Sequence, residues 1–191
     1  MFVDDSIIEG CIAGKRNAQH QLYLKYASVM MAVCMRYTRS REEAEDILQE
    51  GFLKIFQKIS TFRREGSLEG WMKRIIINHA LNIFRKNRNI PFHEDISGIN
   101  ETEITGLNDE SGTLEPVSAD TLLSMIQSLP EGYRLVFNMY VFEEFSHKEI
   151  AETLNISENT SKTQLMKARR HLRKKLDEIV QQNQFAAANG K

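Results

Sequence analysis

Between residues 17 and 39 the apolar side chains Leu22, Tyr26, Val29, Met30, Val33 and Tyr37 recur mostly at steps of three and four, which gathers them on one face of an α-helix. Ser40 followed by Glu43 is a capping-box signature, so a second helix is predicted to begin near Arg41. Its apolar stripe is continuous: Ala44, Ile47, Leu48, Gly51, Phe52, Ile55, Phe56 and Ile59. Asp46, Gln49, Glu50 and Lys54 stand on its polar side. A third helix is expected after the turn at 64–67, with Ser67 as N-cap. Within it Ile76, Ala80, Ile83 and Phe84 can pack into a core, while Trp71, Arg74, Asn78, Asn82 and Arg85 gather on the opposite side with Ile75 among them.

The helical period then stops. Residues 90–119 are rich in Glu, Asp, Asn, Ser, Thr and Gly and carry no sustained apolar repeat. So long a stretch without periodicity is unusual inside one compact domain, so it reads as a linker. Beyond it four helices are predicted, at about 118–129, 131–142, 146–153 and 157–180. Pro130 ends the first by pushing Leu129 out of the α region. Ser146 and Glu149 form a capping box for the third, and Ser157 caps the fourth after a tight Asn155-Ile156 turn. A short helix, a tight turn and a longer basic helix make a helix-turn-helix pattern. The last helix is expected to bury Leu165, Ala168, Leu172, Leu176 and Ile179, and to expose Asn159, Lys162, Thr163, Met166, Lys167 and Arg170 near its start. The fold class predicted is all-α: two small helical domains, 1–88 and 120–191, joined by an acidic flexible linker at 89–119, the C-terminal one holding the helix-turn-helix.

The charge follows the same division. Lys and Arg number 25 against 26 Asp and Glu, a net charge of −1 that hides its layout. Residues 1–88 hold 15 basic and 10 acidic side chains, 89–119 hold seven acids and no Lys or Arg, and 120–191 hold 10 basic and nine acidic ones. Trp71 to Arg88 contains five cations and no acid, and Ser157 to Leu176 contains seven cations against Glu158 alone. A partner carrying phosphates would meet two positive patches separated by an acidic tether. That tether is either a solvated spacer or a mimic of a nucleic-acid backbone that occupies a basic channel on a partner.

Composition narrows the class further. With 41% hydrophobic and 27% charged residues the chain is ordinary globular material, which argues against wholesale disorder. Cys11 and Cys34 are too few to staple a secreted scaffold and sit in apolar helical patterns, which suits a reduced, cytoplasmic protein. No window approaches a membrane span, and the acidic N-terminus is unlike a signal peptide. The five histidines are scattered, and no His, Cys and carboxylate set has metal-ligand spacing. No nucleophile or phosphate loop is evident; no enzyme activity, cofactor, metal or small-molecule substrate is expected. His79 reads as a packing or surface residue.

Cations, amides and an indole along one helix face suit phosphates, base edges and base stacking. The same face is also compatible with a solvated surface whose Trp71 bridges to a neighbouring helix. At the second patch, the first turns of a recognition helix enter the major groove, where Lys donates to guanine, Asn pairs with adenine, and Thr or Met meets a thymine methyl. Arg169, Arg173, Lys174 and Lys175 lie further along, where phosphates would be met.

Two blocks of sequence carry a resemblance. AEDILQEGFLKIF (44–56) and STFRREGSLEGWMKRIIINHALNIFRK (60–86) resemble the second conserved region of bacterial sigma factors. SLPEGYRLVFNMYVFEEFSHKEIAETLNISENTSKTQLMKARRHLRKKL (128–176) resembles their fourth region. The short length, with only an acidic linker between, resembles the extracytoplasmic-function (ECF) class. The resemblance implies that Asp46, Gln49 and Glu50 dock on the β′ clamp of core RNA polymerase. It implies that Phe62, Arg63, Ser67, Trp71, Arg74, Asn78, Asn82 and Arg85 form the surface that melts and captures the minus-ten element. There the loop before Trp71 accepts a base flipped from the non-template strand, and Asn78 lines its pocket. In the fourth region it implies packing on the β flap and reading of the minus-thirty-five element by Lys162, Thr163, Met166 and Lys167; Asn159 and Arg170, exposed beside them by spacing, are expected on the same DNA-binding surface. Partners implied are core polymerase, double-stranded and melted promoter DNA, and an anti-sigma factor; a monomer is expected. Two departures stand out: Asn159-Thr160-Ser161 replaces the frequent Gly-Thr-Val, with Ser161 at an apolar position, and Arg63–Ser67 differs from the commoner Arg-Gly-Asp/Glu loop. The alternative function is a stand-alone helix-turn-helix regulator, which would bind a palindrome without polymerase.

Overall fold

Long apolar stripes with capped starts give helices, and among the described residues every regular element is helical. A computed structural model of the chain describes residues 5–86 and 117–189, from residue 183 onward by backbone alone. Contacts divide the chain into two units, Met1–Arg88 and Asn89–Lys191. The linker expected over 89–119 lies outside the described residues except for its last three, where Ser118 caps the next helix.

The first unit comprises α1 (Asp5–Ile12), α2 (Arg16–Tyr37), α3 (Arg41–Lys58), a 3-10 turn (Ile59–Thr61) and α4 (Leu68–Lys86). Helix α1 escaped the sequence reading because eight residues give too few turns for a period to show. The stripe predicted for α3 is buried from Ala44 through Ile59, with Phe56 partly covered. It packs on α2 and α4. Gly51 permits that approach: a Cβ there would stand 2.9 Å from Ile76 Cγ1. Around this centre Leu22, Met30, Tyr37, Ile55, Met72 and Leu81 are almost wholly enclosed. Ile76 and Ala80 are buried as expected, whereas Ile83 and Phe84, in the last turn of α4, are only half-covered. Both thiols are free and buried, and burial pushes that of Cys34 up to about 12.

The second unit comprises α5 (Ala119–Gln127), α6 (Glu131–Val141), α7 (His147–Leu154) and α8 (Glu158–Asn189). Helix α8 runs beyond the predicted end at 180. No Gly or Pro interrupts Glu158 to Asn189, so propensity carries the helix past Ile179, the last position of the predicted stripe. Leu129, Leu135, Val136, Met139, Ile150 and Ala168 form the core of this unit. Arg134 is also inside, 2% exposed. Its Nη1 donates to the carbonyls of Gln127 and Leu129 at 3.1 and 3.3 Å, taking up groups that the end of α5 leaves unpaired.

Candidate polymerase and nucleic-acid interfaces

Helix α3 begins where the chain changes direction at Ser40, whose Oγ accepts the Glu43 N–H at 3.2 Å. The Glu43 carboxylate reaches back to the N–H of Arg39 rather than to that of Ser40, one residue earlier than in a capping box. From this start the helix buries Ile47, Leu48 and Phe52, which leaves Asp46, Gln49 and Glu50 exposed together on the other side. Leu53, exposed as well, continues the row. Glu50 does not stand alone: its Oε2 lies 3.0 Å from Nε2 of His79 on α4, a close contact poorly aligned for a hydrogen bond. His79 is 7% exposed. Burial, followed by the charge of Lys54, holds this imidazole below its ordinary value, against the opposing pull of Glu50. No local pattern marks this pairing, which joins positions 29 apart on two helices.

Helix α4 opens with Ser67, whose Oγ accepts the Gly70 N–H at 3.3 Å. Arg74, Asn78, Asn82 and Arg85 are exposed along one face, as their spacing predicted. Trp71 is half-buried, its ring 5.5 Å from that of Phe62 and tilted 48° to it. The indole thus packs at the edge of the core, beside the loop that leads into α4. In that loop Arg63 and Ser67 are exposed. Arg64 adopts a left-handed backbone, φ 61°, uncommon for a side chain with a Cβ. Its guanidinium pairs with Glu9 and lies 3.7 Å from Asp5, so α1 holds the loop from outside.

In the second unit α7 starts with the complete Ser146/Glu149 capping box and ends at Asn155, φ 55° and ψ 51°. Asparagine tolerates this left-handed turn better than most residues. The Ile156 N–H then bonds Ala151 O at 3.0 Å, and Ser157 Oγ accepts the Thr160 N–H at 3.0 Å to start α8. Asn159, Lys162 and Arg170 are exposed, and Thr163 and Lys167 half-exposed. Met166 is the correction: it is 9% exposed, not on the open face. Helix α8 packs against both α6 and α7, so Ser161, Gln164, Leu165, Met166 and Ala168 are all covered. The buried arc is therefore wider than one stripe, and a thioether gains from lying in it. Ser161 is fully buried with Oγ 2.9 Å from Nδ1 of His147. Arg169 lies over the ring of Tyr140, 5.9 Å from its centroid.

Among the described residues no group of three or more His, Cys, Asp or Glu is arranged to hold a metal ion. No helix among them is long and apolar enough to cross a membrane.

Comparison with known families places the two units. Residues 22–90 match the family model described as Sigma-70 region 2, and residues 119–172 match Sigma-70, region 4. The chain belongs to the sigma-70 family. Its relatives put it in the ECF class of sigma factors. It is 26% identical over 186 residues to the RNA polymerase sigma-H factor of Pseudomonas aeruginosa, covering 94% of this chain and 96% of that one. It is 26% identical over 190 residues to the ECF RNA polymerase sigma-E factor of Haemophilus influenzae, covering 94% and 98%. With the ECF RNA polymerase sigma factor SigW of Bacillus subtilis it shares 28% over 161 residues, 81% and 86% of the two chains. Among solved structures it is similar to the sigma factor RpoE from Bartonella quintana, crystallised with the anti-sigma factor NepR, at 18% identity, TM-score 0.49, and 84% and 96% coverage. It is also similar to CnrH in complex with the cytosolic domain of CnrY, at 16% identity, TM-score 0.47, and 92% and 97% coverage.

Proposed function

We propose that this sigma factor divides promoter recognition between its two units, each through its own exposed helix face. The first unit docks on the β′ clamp of core RNA polymerase through Asp46, Gln49 and Glu50. It melts and captures the minus-ten element with Phe62, Arg63, Ser67, Trp71, Arg74, Asn78, Asn82 and Arg85. The second unit packs on the β flap and reads the minus-thirty-five element with Asn159, Lys162, Thr163, Lys167 and Arg170. Residues 89–119 tether the two through the polymerase. Unpairing a base costs a few kcal/mol, which stacking and hydrogen bonds to the extruded base can offset. The protein performs no bond chemistry of its own. It acts in the cytoplasm, where promoter DNA is, and an anti-sigma factor is its regulatory partner.

The observation that carries this reading is that each unit has its own polar and cationic row, exposed Arg74-Asn78-Asn82-Arg85 on α4 and exposed Asn159 and Lys162 with half-exposed Thr163 on α8, in a chain of the sigma-70 family. The test is transcription by sigma-free core polymerase on genomic fragments with and without the protein, followed by sequencing of the transcript starts. Starts that share two spaced upstream motifs and vanish without the protein support the reading. No stimulation of a closely related core, with binding to a palindrome by the protein alone, would establish the stand-alone regulator instead.

A further inference from the structure

The recognition helix α8 is fastened to the rest of its unit by a polar bridge rather than by apolar packing alone. Ser161 lies in its first turn, fully buried, between the half-exposed Thr160 and the exposed Lys162. A hydroxyl enclosed without a partner would be costly, but here Oγ meets Nδ1 of His147 at 2.9 Å. His147 is the first residue of α7, and its imidazole stacks on Tyr140 of α6, with ring centroids 4.7 Å apart and planes at 24°. One histidine of α7 therefore touches both α6 and α8. Burial first, then Lys162 and Arg169 against the opposing pull of Glu158, disfavours the His147 cation, so the bridge adjoins the cationic face itself.

We infer that the Tyr140–His147–Ser161 bridge sets the angle at which α8 presents Lys162 and Thr163, making His147 and Ser161 positioning residues for base reading. The inference rests on the reading of α8 as the upstream-element helix. An apolar side chain at position 161 would pack the same turn through non-directional contact, whereas a hydroxyl–imidazole bond fixes both distance and direction. A base edge accepts a side chain within narrow geometric limits, so a small rotation of α8 costs discrimination before it costs general affinity for DNA.

The experiment uses core polymerase loaded with the full chain or its variants, offered double-stranded DNA fragments with a randomised upstream segment. Selected fragments are sequenced, core binding is measured in parallel, and folding is followed by circular dichroism. Ser161→Ala and His147→Phe should each reduce discrimination at the selected upstream bases roughly five-fold, the worth of one ordinary hydrogen bond. The double variant should lose no more than either single one, since both act through one contact. His147→Asn retains hydrogen-bonding atoms where the imidazole carries Nδ1 and should preserve most of the discrimination. Core binding should not change in any of them. Ser161→Ala removes a single oxygen and keeps the test open if His147→Phe folds poorly. A folded Ser161→Ala protein that loads polymerase and selects the same bases with undiminished discrimination overturns the positioning role. Lys162→Ala separates the two levels: if it shifts selection while Ser161→Ala does not, only the bridge fails. If neither shifts selection, base reading by α8 fails and the bridge with it.

Discussion

The carboxylate of Glu50 on α3 and the buried imidazole of His79 on α4 meet at 3.0 Å, one residue away from Asn78 on the exposed face. The proposed docking row and the proposed melting helix thus share a titratable contact. Burial and Lys54 depress the His79 value, and burial and Lys162 depress that of His147. A histidine with a lowered folded-state pKa opposes folding once protonated. Its stability contribution is complete above the unfolded value near 6.5 and is lost as pH falls through that value toward the folded one. Thermal melts from about pH 7.5 down to about 5.5 should show falling stability, and the double variant His79→Asn, His147→Asn should have a flatter slope. Equal slopes would remove these two groups as the cause.

Gly51 should resist enlargement. A methyl group at that position meets Ile76 Cγ1 at 2.9 Å, inside the packed seam between α3 and α4. Alanine gains about 1 kcal/mol of helix propensity, but overpacking a core costs about 1–3 kcal/mol. Gly51→Ala is expected to be neutral to destabilising by about 2 kcal/mol, and Gly51→Val clearly worse. Urea unfolding of the first unit measures it; a stabilised Gly51→Ala would mean that the seam yields.

Asn78 is exposed in mid-helix, where its amide contributes little to folding. Asn78→Ala should therefore leave stability within about 0.5 kcal/mol of the parent protein. Open-complex formation should fall roughly five- to ten-fold while closed binding survives, the loss expected for one or two hydrogen bonds to a captured base. Permanganate reactivity of unpaired thymines reports it, and normal melting would remove Asn78 from the capture surface.

Met166 and Lys162 should separate structure from reading. Met166→Ala empties part of the covered seam around α8 and should cost about 2 kcal/mol in thermal or urea unfolding. Lys162→Ala should leave unfolding nearly unchanged and weaken upstream-element binding by about 1–3 kcal/mol if its ammonium meets a base edge. Binding measured at several salt concentrations distinguishes a base contact from a phosphate contact, since only the latter lowers the salt slope. A Met166→Ala protein of full stability with altered base preference would put the thioether back on the DNA face.

Much of this architecture was legible because its signals are local. Ser67, Ser146 with Glu149, and Ser157 cap the helices that they were expected to cap, and the α3 stripe is buried almost as its period predicted. The rows of the two proposed sites were legible for the same reason: a helix fixes which residues share a face. What escaped was non-local or depended on how many neighbours a helix has. Periodicity assigned Met166 to the open side because it counts one stripe, whereas α8 lies between two helices. Ser161 looked like a defect in an apolar position until its partner, 14 residues upstream on another helix, came into view. Arg134, to which no periodicity assigns a role, is an interior cap in the fold.

The loop before α4 owes part of its shape to charge. Arg64 keeps its left-handed backbone while Glu9 and Asp5 hold its guanidinium from α1, and all three side chains face solvent. Such pairs weaken as ions screen them over a Debye length of about 10 Å at 0.1 M. Added salt should therefore act on this protein twice, by competing for the phosphates of DNA and by loosening the loop proposed to receive the base. The ionic-strength dependence of promoter opening should then be steeper than phosphate contacts alone would produce, and substitution of Glu9 on α1 should flatten it.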